Sequence, residues 1–302
     1  CHTYFKLDEK TAINYALSCT AICSVFLATT AGQVPPLICE EIGDGNLNLI
    51  FRVANKHDSS KSVILKQALP YVRLVGESWP LSIERARIES AALELQGRLC
   101  PALVPQLLHF DSVMYLTVME DLRDAVVMRK GLIARQQYGH FAEQIGDFLA
   151  HTLYKTSDLY LDSEAKKRAV VRFHNAQLCG LSEDVIFSAP LDAEAPTNRH
   201  NPLISAALVA RLRSSRALLR EVRALKWAFM TRAEALLHGD LHTGSVMTTA
   251  ARAWVIDPEF AFYGPMGFDV GALFGNLLIA FAVHCRQAAY QQHMLDGLLS
   301  AL

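Results

Sequence analysis

Asp240 lies in the stretch Leu237-His238-Gly239-Asp240-Leu241-His242-Thr243-Gly244-Ser245-Val246-Met247. Asp257, seventeen residues further on, closes the apolar run Val255-Ile256 and precedes Pro258-Glu259-Phe260. The first segment reads as a turn between short apolar runs, the second as a buried strand ending in an acidic cluster. A hairpin of the two puts both carboxylates on one rim. One carboxylate that orients a hydroxyl and another that holds Mg²⁺ are the parts phosphoryl transfer asks of a protein, because positioning and charge neutralisation dominate that chemistry. The competing reading is plain turn chemistry, since Gly-Asp and Asp-Pro are ordinary turn dipeptides. What lies upstream separates the two readings.

The elements that would position such a site are legible in order. A short strand at 37–42 leads into Gly43-Asp44-Gly45-Asn46-Leu47-Asn48 and then a second strand. Gly and Asn tolerate positive φ, so this turn can aim backbone N–H groups at a phosphate, although a plain hairpin is the simpler account of a lone Gly-rich turn. It lacks the Gly-Lys-Ser or Gly-Lys-Thr ending of a Walker A loop. A third strand, 62–68, carries Lys66 in an apolar run, 22 residues after Asp44. An ammonium there is costly to bury unpaired, so Lys66 either meets an anion or faces water from an edge strand. A loop at 71–81 contains Trp79, Ser82 can cap the following helix, and that helix, 83–96, bears Glu89, 23 residues beyond Lys66. A strand Lys paired with a helix Glu is the ion pair that orders a kinase-type site; the alternative for Glu89, as for Arg85 and Arg87 nearby, is a solvated charged face. The run 114–122, ending Met119-Glu120-Asp121-Leu122, reads as a buried strand leaving a small sheet, a hinge whose backbone can bond an adenine edge. From about residue 131 to 226 the pattern is helical, with an amphipathic scaffold helix at 141–150, a surface loop at 188–202 and a helix at 203–223 whose five arginines form a solvated face. Asp269 opens the last apolar helix, where it can cap N–H groups or bond the backbone around Asp240.

At 302 residues and 51% apolar composition the chain can bury one large core or two ordinary ones. A net charge of −1 offers no electrostatic case for nucleic acid or an anionic membrane surface. Seven cysteines without CxxC or zinc-type spacing read as reduced cytoplasmic thiols, mostly small core residues. The apolar run 15–31 has the character of a secretory signal core, but Asp8 and Glu9 precede it, Ser and Thr interrupt it, and it is short for a bilayer. A packed N-terminal helix is expected instead.

Five blocks together resemble the 5-methylthioribose kinases, within the wider protein-kinase-like phosphotransferases that include choline kinase and the aminoglycoside phosphotransferases. They are GDGNLNLIFRV (43–53), VILKQALPYVRLVGESWPLSIERARIE (63–89), MEDL (119–122), LLHGDLHTGSVM (236–247) and VIDPEFAFYGPMGFDVGALFGNLL (255–278). The HGDLH core marks only the superfamily, whereas the combination is far more specific and spans about 37–280. The resemblance implies an α+β, two-lobed protein-kinase-like fold: a small antiparallel β-rich lobe over 1–121 and a larger, mainly helical lobe over 122–302. It implies ATP and Mg²⁺ as cofactors and transfer of the γ-phosphoryl group to O1 of the small-molecule substrate S-methyl-5-thioribose, a step of methionine salvage. By resemblance Asp240 is the catalytic base, and Asp257 and Glu259 hold Mg²⁺. Ser245 stands where the superfamily has an Asn metal ligand and, by resemblance, takes its place. Lys66 contacts the α and β phosphates, and Asp44, Gly45, Asn46 and Asn48 belong to the loop over them. Glu89 pairs with Lys66, Trp79 belongs to a loop beside the nucleotide, and Met119, Glu120 and Leu122 form the adenine-contacting hinge. The family is often homodimeric, and it continues past Leu302 with an arginine pair that contacts the substrate. Two further readings compete: another small-molecule kinase of the choline or aminoglycoside type, and a non-catalytic nucleotide-binding scaffold.

Overall fold

Alternation of extended apolar runs and turns between 37 and 120 yields an antiparallel sheet in the computed structural model, which describes residues 3–26, 36–43, 47–73, 75–196 and 198–301. Its strands are β1 (Leu37–Glu41), β2 (Asn48–Asn55), β3 (Ser62–Ala68), β4 (Leu107–Asp111) and β5 (Leu116–Glu120), in the order β1-β2-β3-β5-β4. β3 is therefore central, with Lys66 registered between Ile50 and Thr117, which removes the edge-strand reading of that lysine.

Two helices pack on one face of the sheet, α1 (Glu9–Ser18) and α2 (Thr20–Phe26). They replace the single helix expected over 15–31, of which 27–31 lie outside the described residues. Asp8 and Thr11 form a reciprocal capping box that starts α1 early, and extended Cys19 interrupts the chain before α2. Ala12, Ala16, Ile22 and Phe26 are buried against Phe51, Val53, Leu65 and Val118, a packing that gives this apolar run a place in a folded core. Gln67, fully buried, fastens the segment by accepting from the Leu7 N–H and donating to Phe5 O. The other face receives α3 (Arg85–Leu99), whose Ile88 and Ala92 are buried.

After the hinge come β6 (Val126–Val127), α4 (Met128–Ile133), α5 (Phe141–Thr156), α6 (Ser163–Arg172), α7 (Ala176–Ser182), α8 (Ala206–Ser214) and α9 (Arg216–Thr231). Then follow β7 (Ala235–Leu237), β8 (Val246–Thr248), β9 (Ala253–Val255), β10 (Phe262–Gly264), α10 (Gly267–Val283) and α11 (Ala288–Ala301). The segment read as one helix over 203–223 is two, because Ser215 is extended and caps α9 through the Leu218 N–H. α5 buries Phe141, Ile145, Phe148 and Leu149, the stripe its periodicity predicts, in a second core with Leu237, Leu241, Val246, Val255 and Leu273. Cys100 and Val104 join this second core, so the chain after α3 dips into the helical half before returning to β4. The result is the two-lobed α+β arrangement the resemblance implies. Among the described cysteines, all unpaired, Cys100 is fully buried and Cys19, Cys39 and Cys179 pack partly buried against the two cores.

Candidate active site

β3 and α3 bring Lys66 and Glu89 together, with Nζ 2.7 Å from Oε1 and both side chains nearly inaccessible. Asp257 crosses from the other lobe to pair with the same ammonium. It does so from a left-handed backbone, φ 68° and ψ 49°, a region an Asp tolerates better than a branched residue and one that recurs where chains are held for function. Burial alone would lower Lys66, but the Asp257 and Glu89 carboxylates override it and keep the ammonium charged. Burial pushes the Glu89 carboxyl up to about 8, with Lys66 opposing. Burial would also raise Asp257, yet the ammonium holds it below its ordinary value.

Glu259 reaches the same cluster, and one oxygen each of Glu89, Asp257 and Glu259 lie within 4.8 Å of one another. Burial and then the Asp257 charge push Glu259 upward. Three carboxylates and two cations, Lys66 and Arg85, share this cluster, which gathers hard oxygen donors from both lobes. That fits a small divalent cation bound together with phosphate oxygens.

Arg85 is the residue the sequence reading missed, having been taken for part of a charged helix face. Its side chain is 1% exposed, and all five of its donors are used. Nε bonds Glu259 Oε2 at 3.2 Å, Nη1 bonds the carbonyls of Leu69 (2.9 Å) and Ser82 (2.8 Å), and Nη2 bonds Leu47 O (2.8 Å) and Asn48 Oδ1 (2.9 Å). Asn48 also donates to Glu259 at 2.9 Å. The phosphate-facing role expected of Asn48 is thus corrected: its amide is committed on both sides to holding Glu259.

Asp240 sits on a loop that three devices shape. Gly239 takes φ 83°, and a Cβ there would collide with the Phe260 carbonyl oxygen. Buried Asp269 accepts the backbone N–H groups of His238 (2.6 Å) and Gly239 (3.0 Å), the support anticipated for it. His238, also buried, accepts the Asp240 N–H at Nδ1, so its Nε2–H donates to Ile256 O at 2.9 Å, which ties the loop to the residue before Asp257. The β8–β9 hairpin extends this pairing as Ile256 N–H donates to Ser245 O. Ser245, expected to hold metal, donates its hydroxyl proton to the Asp240 carbonyl at 2.8 Å and braces the loop.

Between the lobes lies a cavity of about 220 Å³. Ile42, Ile50 and Ile64 line its upper wall, Val127, Met247 and Ile256 the lower, and Met119, Glu120, Asp121 and Leu122 the hinge, with Lys66, Glu89 and Asp257 at the end. A slot lined largely by apolar side chains and bordered by the hinge suits a nucleobase. Arg52 grips Asp121 with two bonds, 2.7 and 3.1 Å, and Ser62 donates to the same carboxylate, fixing the hinge to the sheet. Trp79 does not line this cavity. Its loop is turned by Val72 and Leu81 packing on Leu178, leaving the indole 39% exposed at the surface, a correction to its placement beside the nucleotide. Asp44, Gly45 and Asn46 lie outside the described residues. A larger groove of about 970 Å³, between α5, α10 and α11, contains none of these groups.

A two-lobed fold with a Lys–Glu pair, a left-handed Asp and a second Asp on a braced loop defines a protein-kinase-like phosphotransferase. The chain belongs to the phosphotransferase enzyme family, which matches residues 38–299. It is 43% identical over 298 residues to the methylthioribose kinase of Bacillus pumilus (strain SAFR-032), covering 99% of this chain and 72% of that protein. To the methylthioribose kinase of Yersinia pseudotuberculosis serotype O:3 (strain YPIII) it is 45% identical over 266 residues, covering 87% of this chain and 65% of the relative. The chain thus spans about two thirds of the length of these curated relatives. Among solved structures, an ethanolamine kinase of Plasmodium vivax shares the fold, with a TM-score of 0.51 at 13% identity over 97% of this chain and 75% of that one.

Proposed function

We propose that this chain transfers the γ-phosphoryl group of ATP to the O1 hydroxyl of S-methyl-5-thioribose, a step of methionine salvage in the cytoplasm. The observation that carries the phosphotransfer reading is the buried Lys66 ammonium held between Glu89 and Asp257 across the cleft, beside the loop of Asp240. The acceptor is taken from the relatives' names. Lys66 bears on the α and β phosphates, and the apolar slot and hinge receive the adenine. Asp257 and Glu259, with Glu89 adjacent, would hold Mg²⁺, which supplies charge neutralisation on the phosphates when bound. A sugar hydroxyl has a pKa far above neutrality, so Asp240 orients it and takes its proton late in the transfer. Residues 1–121 and 122–302 act as the two jaws of this site, and the assembly proposed for the protein is a homodimer.

Among the described residues no helix is long and apolar enough to cross a membrane. Turnover of ATP with methylthioribose and Mg²⁺, run against choline as the comparison acceptor, tests the reading. Turnover with choline alone assigns a different small-molecule kinase, and nucleotide binding without turnover assigns a scaffold.

A further inference from the structure

The carboxylate of Asp240 is 43% exposed, and among the described residues no hydrogen bond holds it. A general base left free to rotate would reach its proton in only a fraction of its orientations. The Nε2 of His242 lies 3.5 Å from Asp240 Oδ2. Which proton that nitrogen carries is decided on the far side of the ring. Nδ1 lies 2.9 Å from the backbone N of Gly244 and 3.2 Å from both Nη2 of Arg129 and Oγ of Ser245, a hydroxyl able to act in either sense. An amide N–H and a guanidinium can only donate, so Nδ1 accepts and the ring proton sits on Nε2.

We propose that His242 is a positioning residue for phosphoryl transfer: its Nε2–H holds Oδ2 of Asp240 and leaves Oδ1 to face the acceptor hydroxyl. This rests on the function proposed above. The surroundings are built for one ring orientation. A Cβ on Gly244 would come 2.6 Å from His242 Cε1 and 2.7 Å from Arg129 Nη2, so a side chain there would displace the ring or the guanidinium. Arg129 is itself fixed, because its backbone N–H donates to Thr243 O at 2.9 Å. Apo contacts of this kind commonly lengthen and close only when substrate is present, which suits a 3.5 Å separation.

Two amide substitutions separate this role from simple packing. In His242→Gln the side-chain amide reaches the Nε2 position and can still donate to Asp240. In His242→Asn it reaches only the Nδ1 position, and the donor is lost. With ATP, methylthioribose and Mg²⁺, His242→Asn is expected to lower kcat by about ten- to a hundredfold while KM for ATP changes little, and His242→Gln to keep kcat within about fivefold of the parent. Equal loss in both variants, or no loss in either, overturns the proposal. The ¹⁵N imidazole spectrum of the full chain supplies a readout independent of turnover: a protonated Nε2 and bare Nδ1 for His242 support it, and the opposite tautomer overturns it. If the parent protein turns over no methylthioribose, the assigned acceptor fails while the tautomer measurement still decides the arrangement of His242.

Discussion

Asp240 and Lys66 act on different partners, and their substitutions should separate accordingly. With Asp240 serving the acceptor in the proposed reaction, Asp240→Ala should abolish turnover while ATP affinity, measured by calorimetry, stays within about tenfold. Near-normal kcat in that variant would refute the role. Lys66, proposed to neutralise phosphate, also pairs with two carboxylates of the protein. In Lys66→Met, Glu89 keeps its burial and its acidic neighbours but loses the cation it is hydrogen-bonded to. A carboxyl whose folded pKa lies above its unfolded value contributes stability below the unfolded pKa, and that contribution is lost as pH rises through the folded one. Glu89 is already pushed up to about 8, so the parent's loss should level off near that pH, whereas the variant's melting temperature, with Glu89 higher still, should keep falling above about pH 8. Parallel pH dependence in the two proteins would show that Lys66 is not the cation Glu89 relies on.

Elements are joined as specifically as residues. α1 is fastened to β4 where the Tyr15 hydroxyl donates to Asp111 Oδ2 at 3.0 Å, and Asp111 Oδ1 accepts the N–H groups of Val113 (2.9 Å) and Met114 (3.0 Å). Burial would raise the Asp111 carboxyl, but these donors outweigh it and hold it below its ordinary value. A depressed folded pKa means the stabilisation is present above the unfolded value, near about 4, and is lost as pH falls through the folded one. Asp111→Asn should therefore be less stable than the parent at neutral pH and show a shallower loss below about pH 4, as followed by urea unfolding across that range. The same logic explains why α1 and α2 belong to the sheet: their buried alanines and Ile22 close a face that β2, β3 and β5 would otherwise expose.

At the scale of the whole molecule, Arg85 joins what the fold keeps apart. It binds the end of the Gly-rich turn through Leu47 O, the end of β3 through Leu69 O, and the far lobe through Glu259. Removing one partner of a buried pair leaves the other uncompensated and costs about 3–5 kcal/mol. Arg85→Met should lose about that much stability in denaturant unfolding. In whatever fraction remains folded, it should raise KM for Mg²⁺–ATP more than it lowers kcat, because Glu259 and the turn would no longer be held in register. A fall in kcat alone would assign Arg85 to a different step.

Much of this site follows from the sequence alone. Lys66, Glu89, Asp240 and Asp257 sit on regular strands, a helix and turns whose periodicity and spacing are local properties, so their kinship was readable before any fold was known. The bracing of the Asp240 loop by Asp269 was readable for the same reason. Other assignments depended on which surfaces meet. Arg85 looked like one more charge on a helix, because its acceptors are backbone carbonyls of distant segments and a carboxylate 174 residues away. Asn48 and Ser245 have types suited to phosphate or metal, but their hydrogen bonds go to Glu259 and to the Asp240 carbonyl once the lobes pack. Trp79 is turned outward by the apolar contacts of Val72 and Leu81 with Leu178. Sequence determined which groups are available for the chemistry, since residue type and local backbone preference are written in the chain. Tertiary structure alone decided which of them face the cleft and which are used up in holding it, since that depends on where each donor finds an acceptor after burial.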